Sequence, residues 1–159
     1  MASIIGVETL QHTNGTTAAT IDSSGRINTP ARPAFFATCT SSNNQTSGTI
    51  NYNSETFDIG GNYDPTTQQF TAPVDGIYQF SFTYYAVVTD RARVSLTKNG
   101  STIITRGGRA LRPSGEEPGT SENTLICQLS ANDTVEVKWE EGNVHTNAGY
   151  NYFCGHLIG

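Results

Sequence analysis

Residues 57–85 read FDIGGNYDPTTQQFTAPVDGIYQFSFTYY, and this stretch decides the fold. Gly60-Gly61 followed by Asn62-Tyr63-Asp64-Pro65 marks a tight loop, because glycine accepts positive φ and proline holds its own φ at about −65°. Further on, Tyr78, Phe80, Phe82 and Tyr84 alternate with Gln79, Ser81 and Thr83. That period of two gathers four aromatic rings on one face of a strand, an arrangement no helix presents. Between the two parts, Pro73-Val74-Asp75-Gly76 predicts a turn that brings the Phe70 segment back near the Tyr78 strand.

The remainder of the chain agrees with an all-β reading. Its 159 residues suit one full-sized domain, and a composition rich in Gly, Ser, Thr and Asn with only 14% charged residues suits short strands joined by turns. A net charge of −5 with nine Lys and Arg argues against nucleic acid or an anionic membrane as partner, since both require a basic field. No run approaches membrane-spanning length, and MASIIGVETL lacks the charged start and long apolar core of an export signal. Three cysteines, Cys39, Cys127 and Cys154, are an odd number and too few for a disulfide scaffold, so buried free thiols are expected. Four Asn-x-Ser/Thr sequons, at Asn14, Asn44, Asn99 and Asn132, are no more than an Asn- and Thr-rich chain supplies by chance.

Residues 1–31 differ in character from the rest of the chain. Short apolar pieces (Ile4-Ile5, Val7, Leu10, Ala18-Ala19, Ile21) are separated by Asn14-Gly15 and Ser24-Gly25 turns, and alone they bury little, so the segment reads as a connector or trimerising arm that orders on its own domain or on neighbouring subunits, or docks to a larger assembly. Ala34-Phe35-Phe36-Ala37 predicts the first strand of a main domain spanning 32–159, and Thr40 to Gly48 a polar loop. Thr49 to Phe57 predicts a strand with Ile50 and Tyr52 on one face. Arg91 to Lys98 predicts another, closed by the Asn99-Gly100 hairpin signal, with Thr102 to Thr105 returning. Arg106 to Asn123, with four glycines, two prolines and both charge signs, predicts a long surface loop. Leu125, Cys127 and Leu129 alternate in one strand, and Val135, Val137 and Trp139 in the next. The last strand, Tyr150 to Ile158, is apolar on both faces: Phe153, Gly155 and Leu157 on one, Tyr152, Cys154, His156 and Ile158 on the other. A strand of that kind needs cover on both sides, from another copy of the molecule or from the arm.

Taken together, Arg32-Pro33-Ala34-Phe35, Phe57-Asp58, Gly61-Asn62-Tyr63-Asp64-Pro65, Phe70 to Ser81, Lys98-Asn99-Gly100, Leu129 with Asp133-Thr134-Val135, and Phe153-Cys154-Gly155 resemble the globular C1q-like domain of the complement C1q and tumour necrosis factor superfamily. The resemblance covers Arg32 to Gly159. It implies a ten-stranded jelly-roll sandwich that forms a homotrimer, binds ligands and catalyses nothing. Tyr150, Tyr152, Cys154, His156 and Ile158 are then the expected trimer contacts. Calcium sites occur in some members, but no motif here transfers, and no cofactor is assigned. In place of a collagen stalk stands the Ile4 to Ile27 segment, which is similar to short connectors in structural proteins of tailed phages. That likeness implies a virion location, with other virion proteins as partners through the arm and a host surface glycan or protein as target. A secreted, extracellular C1q-like lectin is the alternative, and a glycan-cleaving tip enzyme a further one.

Catalytic patterns are weak throughout. No Gly-x-Ser-x-Gly elbow occurs, and His12, His145 and His156 lack metal-ligand spacing with the cysteines. Asp58, Asp64 and Asp75 each adjoin turn residues, where a carboxylate bonds nearby backbone amides more readily than it does chemistry. Arg106, Arg109 and Arg112 with Glu116 and Glu117 in the expected loop form the candidate recognition surface, against the plainer reading of a solvated loop.

Overall fold

The computed structural model describes residues 5–40, 43–86, 92–103, 107–110, 119–147 and 149–159, with the backbone alone at 107–110. Every regular element among them is a strand. The chain divides into two compact units, residues 1–32 and 33–159.

The first unit is a three-stranded antiparallel sheet of β1 (Thr9–Gln11), β2 (Thr17–Ile21) and β3 (Ile27–Asn28). Its turns are closed by short polar side chains. Asn14 Oδ1 accepts from Thr16 N at 3.0 Å, and Asp22 Oδ1 accepts from Ser24 N and Arg26 N.

The second unit is a sandwich. One sheet holds β4 (Ala34–Thr38), β5 (Asn43–Gln45), β6 (Ser54–Ile59), β9 (Gly76–Ala86), β13 (Gly119–Leu129), β15 (Val144–Thr146) and β16 (Tyr152–Leu157). The other holds β7 (Tyr63–Asp64), β8 (Gln69–Thr71), β10 (Ala92–Lys98), β11 (Ser101–Thr102), β12 (Gly107–Ala110) and β14 (Thr134–Glu141). The two sheets therefore carry seven and six strand segments, where the resemblance led us to expect ten strands in all. In the larger sheet β13 runs along one edge of β9 for its whole length, β16 and then β15 share the other edge, and β4 and β6 lie beyond β16.

The Tyr78-to-Tyr84 alternation is realised as β9, whose four rings enter the core with Phe35, Tyr63, Phe70 and Phe153. Phe35 lies at the centre, 4.6 Å from Tyr63, 5.2 Å from Phe70 and 4.9 Å from Phe153 between ring centroids. These stacked and edge-on pairs add to the area they bury. The buried tyrosines place their hydroxyls on main-chain carbonyls: Tyr63 donates to Tyr52 O at 2.7 Å and Tyr52 to Thr83 O at 2.8 Å. The glycine of Phe153-Cys154-Gly155 has a steric reason, since a Cβ there would stand 2.4 Å from Phe80 Cδ1. At the β10–β11 hairpin, Asn99 and Gly100 take φ of 51° and 75°, the two-residue turn that the Asn-Gly pair signals.

Four expectations are corrected. The span from Thr40 to Gly48 is not all loop, because Asn43–Gln45 pairs with Val144–Thr146 and draws its hydrogen bonds from that partner. Thr49 to Phe57 is not one strand. Ile50 and Tyr52 are fully buried, but they lie in an irregular segment that meets β14 only around Thr49 and Ile50, and the strand begins at Ser54. Arg106 to Asn123 is not one long loop, since it contributes β12 and the first part of β13, where pairing with β9 extends a polar sequence that shows no apolar alternation of its own. The last strand is shorter than expected, Tyr152–Leu157.

Candidate functional site

The sandwich closes one face of the larger sheet, no described residue of the second unit packs over the other, and the register states which residues stand there. On β16, Phe153 and Gly155 are buried, so Tyr152, Cys154 and His156 point away from the core. Directly opposite them on β4 stand Thr38, Phe36 and Ala34, and on β6 Phe57 and Ile59 continue the rows past Phe36 and Ala34. On the other side, Cys154 faces Ser81 and His156 faces Gln79 on β9, which in turn face Thr124 and Ile126 on β13. Two rows thus cross five strands, Phe57–Phe36–Cys154–Ser81–Thr124 and Ile59–Ala34–His156–Gln79–Ile126.

This face is apolar and aromatic along one side. Phe57 and Tyr152 both stack on Phe36, with ring centroids 6.3 and 5.6 Å away and planes 20° apart in each pair. Phe57 remains 47% exposed and Ile126 62%. Polar groups tie the centre: Ser81 Oγ and Thr124 Oγ1 are 2.7 Å apart, and the Tyr152 hydroxyl donates to Glu122 Oε1 at 2.7 Å. Burial first, then the hydrogen bond to Glu122 and its charge, push the Tyr152 phenol up to about 12, so it stays protonated and donating. At the far end Tyr85 and Tyr150 stack at 5.0 Å, and His145 beside them meets Asn44 Oδ1 at 3.0 Å.

Of the expected contact residues, Tyr152, Cys154 and His156 share this face, whereas Tyr150 and Ile158 lie beyond the ends of β16, half-exposed. Sequence reading missed Phe36, Phe57, Ile59 and Ile126. The signal was present: Phe35-Phe36 and Leu125-Ile126-Cys127 are consecutive apolar residues in strands, and alternation obliges one member of each run to face outward. In the expected loop, Arg109 lies in β12, while Arg106, Arg112, Glu116 and Glu117 lie outside the described residues.

The three turn carboxylates do not converge. Asp58 Oδ2 accepts from Tyr63 N, Asp64 Oδ1 from Thr66 N, and Asp75 Oδ1 from Ala131 N, each at 2.7 Å. All three thiols are free: Cys39 is buried, which raises its pKa to about 12, and burial also raises half-buried Cys127 and Cys154. Among the described residues no three His, Cys, Asp or Glu side chains are grouped to hold a metal ion.

Comparison with known proteins gives the family of this all-β sandwich. The C1q domain model matches residues 34–158, and the chain belongs to the C1q domain family. Human complement C1q tumor necrosis factor-related protein 3 is 30% identical over 128 residues, covering 79% of this chain and 50% of the human protein, and its mouse counterpart matches to the same extent. The chain therefore spans about half the length of those relatives. Among solved structures, the globular domain of zebrafish complement 1qA aligns with a TM-score of 0.65 at 17% identity, over 80% of this chain and 98% of that one. Eiger TNF from S. frugiperda aligns at 0.59 and 13% identity, over 81% and 94%. Murine APRIL aligns at 0.62 and 12% identity, over 80% and 99%. At these identities the likeness is one of fold, the C1q and tumour necrosis factor jelly roll.

Proposed function

We propose that this chain is a non-enzymatic virion protein of a tailed phage, in which three copies of the C1q domain form a binding head and residues 1–31 connect that head to the particle. The observation that carries the trimer is the open face of the larger sheet. It exposes Phe57, Ile59 and Ile126 around the stacked Phe36 and Tyr152, an apolar surface that a single copy leaves in water. Homotrimers are typical of the C1q and tumour necrosis factor fold, and a three-fold arrangement turns the same face of each copy toward one axis. Tyr152, Cys154 and His156 are the contacts from the last strand, with Phe36, Phe57 and Ile126 around them.

Function as a binding head is supported by the family, together with turn carboxylates that each bind a separate backbone amide and a sequence without a nucleophile pattern. The virion location is supported by the similarity of residues 4–27 to phage connector sequences, and the target is then a host surface glycan or protein. Arg106, Arg109, Arg112, Glu116 and Glu117 are the proposed target contacts. The second reading, a secreted extracellular lectin, is favoured by the 128-residue match to the animal C1q-related proteins. Detection of the chain in purified phage particles supports the first. Its secretion from a eukaryotic cell with glycan on Asn14 or Asn44 supports the second. Sedimentation equilibrium at micromolar concentration tests the trimer, which requires three times the 17.1 kDa chain mass. Replacing Arg109 and Arg112 by Ala should weaken attachment to the target and leave the unfolding midpoint unchanged, and unaltered attachment would exclude them as principal contacts.

A further inference from the structure

We infer that the N-terminal sheet is a second, separate trimerising element, in which the face bearing Leu10, Ala19, Ile21 and Ile27 packs against the same face of two other copies. The register places these four side chains together. Leu10 pairs with Ala19 and Ile21 with Ile27, and Ala19 and Ile21 lie two residues apart on the central strand, so all four point to one side. The opposite side carries Thr9, Thr20 and Asn28, joined by the pairs Thr9 with Thr20 and Thr20 with Asn28. A sheet of three short strands is thus divided into one apolar and one polar face.

Among the described residues of the arm the apolar face is covered only in part, with Ala19 and Ile21 half-buried. Leu10 is 51% exposed and Ile27 71%, and the two turns that could fold over it are polar and hydrogen-bonded to themselves. Asp22 also binds Arg26 at 2.7 Å in an exposed pair beside the Ile21–Ile27 pair. Glu8, whose carbonyl accepts from Ile21 N, stands at the rim. A three-stranded sheet needs its apolar face buried to be stable in water, so the cover comes from outside the arm.

Chain continuity argues for two further copies as that cover. The arm ends at Arg32, and only Pro33 to Phe35 separate it from Phe36, which stands on the open face of the head. Once three heads meet through it, three arms are tethered at an effective concentration in the millimolar range. Three identical faces with no charge at their centres then close on one another without a second protein. This inference rests on the trimeric reading of the head, which supplies the tether, but it fails or stands on different observations.

The test uses the full-length chain and combines sedimentation equilibrium with amide hydrogen exchange of residues 9–28. The trimeric wild type should protect the amides of β2. Ile21→Asn with Ile27→Asn should remove that protection while the chain still sediments as a trimer through its heads, and Thr9→Asn on the polar face should change neither. Free exchange of β2 in a trimeric wild type would overturn the inference and leave the head reading intact. Full protection of β2 in a chain made monomeric by Phe36→Asp and Ile126→Asp would also overturn it, since the arm would then be covered within one chain. If that head variant remains trimeric and becomes monomeric only when Ile21 and Ile27 are also replaced, the arm inference holds even without the head contact.

Discussion

Tyr152 and Phe153 are neighbours in sequence, yet they meet different fates. Phe153 enters a core already filled by Phe35, Tyr63 and Phe80 of the same chain, whereas Tyr152 lies on an aromatic row that ends in the half-exposed Phe57. The two faces of one sheet have similar side-chain chemistry but different cover. An aromatic residue on the inner face has spent its hydrophobic energy on folding, while one on the outer face retains much of it for a contact with another molecule.

The difference can be broken most forcefully from the inside. Phe153→Ala should destabilise the fold by about 4 kcal/mol in urea unfolding, the cost of removing a fully buried ring. Gly155→Val should cost roughly 3 kcal/mol, because the new side chain would have to displace Phe80 and Phe35, whose ring atoms stand 2.4 to 2.9 Å from the added Cβ. Tyr63→Phe should cost about 2 kcal/mol, because it leaves the Tyr52 carbonyl without its buried donor. On the outer face Tyr152→Ala should cost a single subunit only about 1 kcal/mol, mostly its stacking on Phe36. Its larger effect should be to raise the concentration at which the assembly dissociates. A loss of folding stability as large as that of Phe153→Ala would show that the two faces do not differ.

The smallest effect is electrostatic. Side-chain hydrogen bonds from Lys98 and Asn99 and the Ser130 amide lower the Asp133 pKa from its ordinary 3.8 to about 2. With the folded value below the unfolded one, ionised Asp133 stabilises the fold above about pH 4, and this contribution is lost as the pH falls toward 2. Asp133→Asn should therefore show a shallower loss of stability across that acid window, measured by thermal unfolding at each pH.

The sandwich was legible wherever apolar alternation was strong. Tyr78 to Tyr84, Asn99-Gly100 and Val135-Val137 appear where the sequence places them, because each carries its own local signal. The Gly119-to-Asn123 part of β13 and Asn43–Gln45 were not legible, because their pairing comes from a partner strand distant in the chain and leaves no mark on their own polar residues. The candidate face was legible only in part. Tyr152, Cys154 and His156 stood out because their whole strand is apolar, while Phe36 and Ile126 were masked by neighbours that go to the core. The N-terminal face escaped notice for a further reason: Leu10, Ala19, Ile21 and Ile27 become one surface only through cross-strand register, which no short sequence window displays.

Hydroxyl-radical footprinting of the native chain at micromolar concentration tests the open face most directly. Within one chain Phe57 is 47% exposed and Val74, on a turn of the same domain, 45%, so the two form an internal pair of nearly equal accessibility. If the outer face joins subunits, Phe57 and Ile126 will be protected, relative to their intrinsic reactivities, while Val74 is labelled as its exposure dictates. Labelling of Phe57 and Ile126 in proportion to their single-chain exposure would contradict the contact.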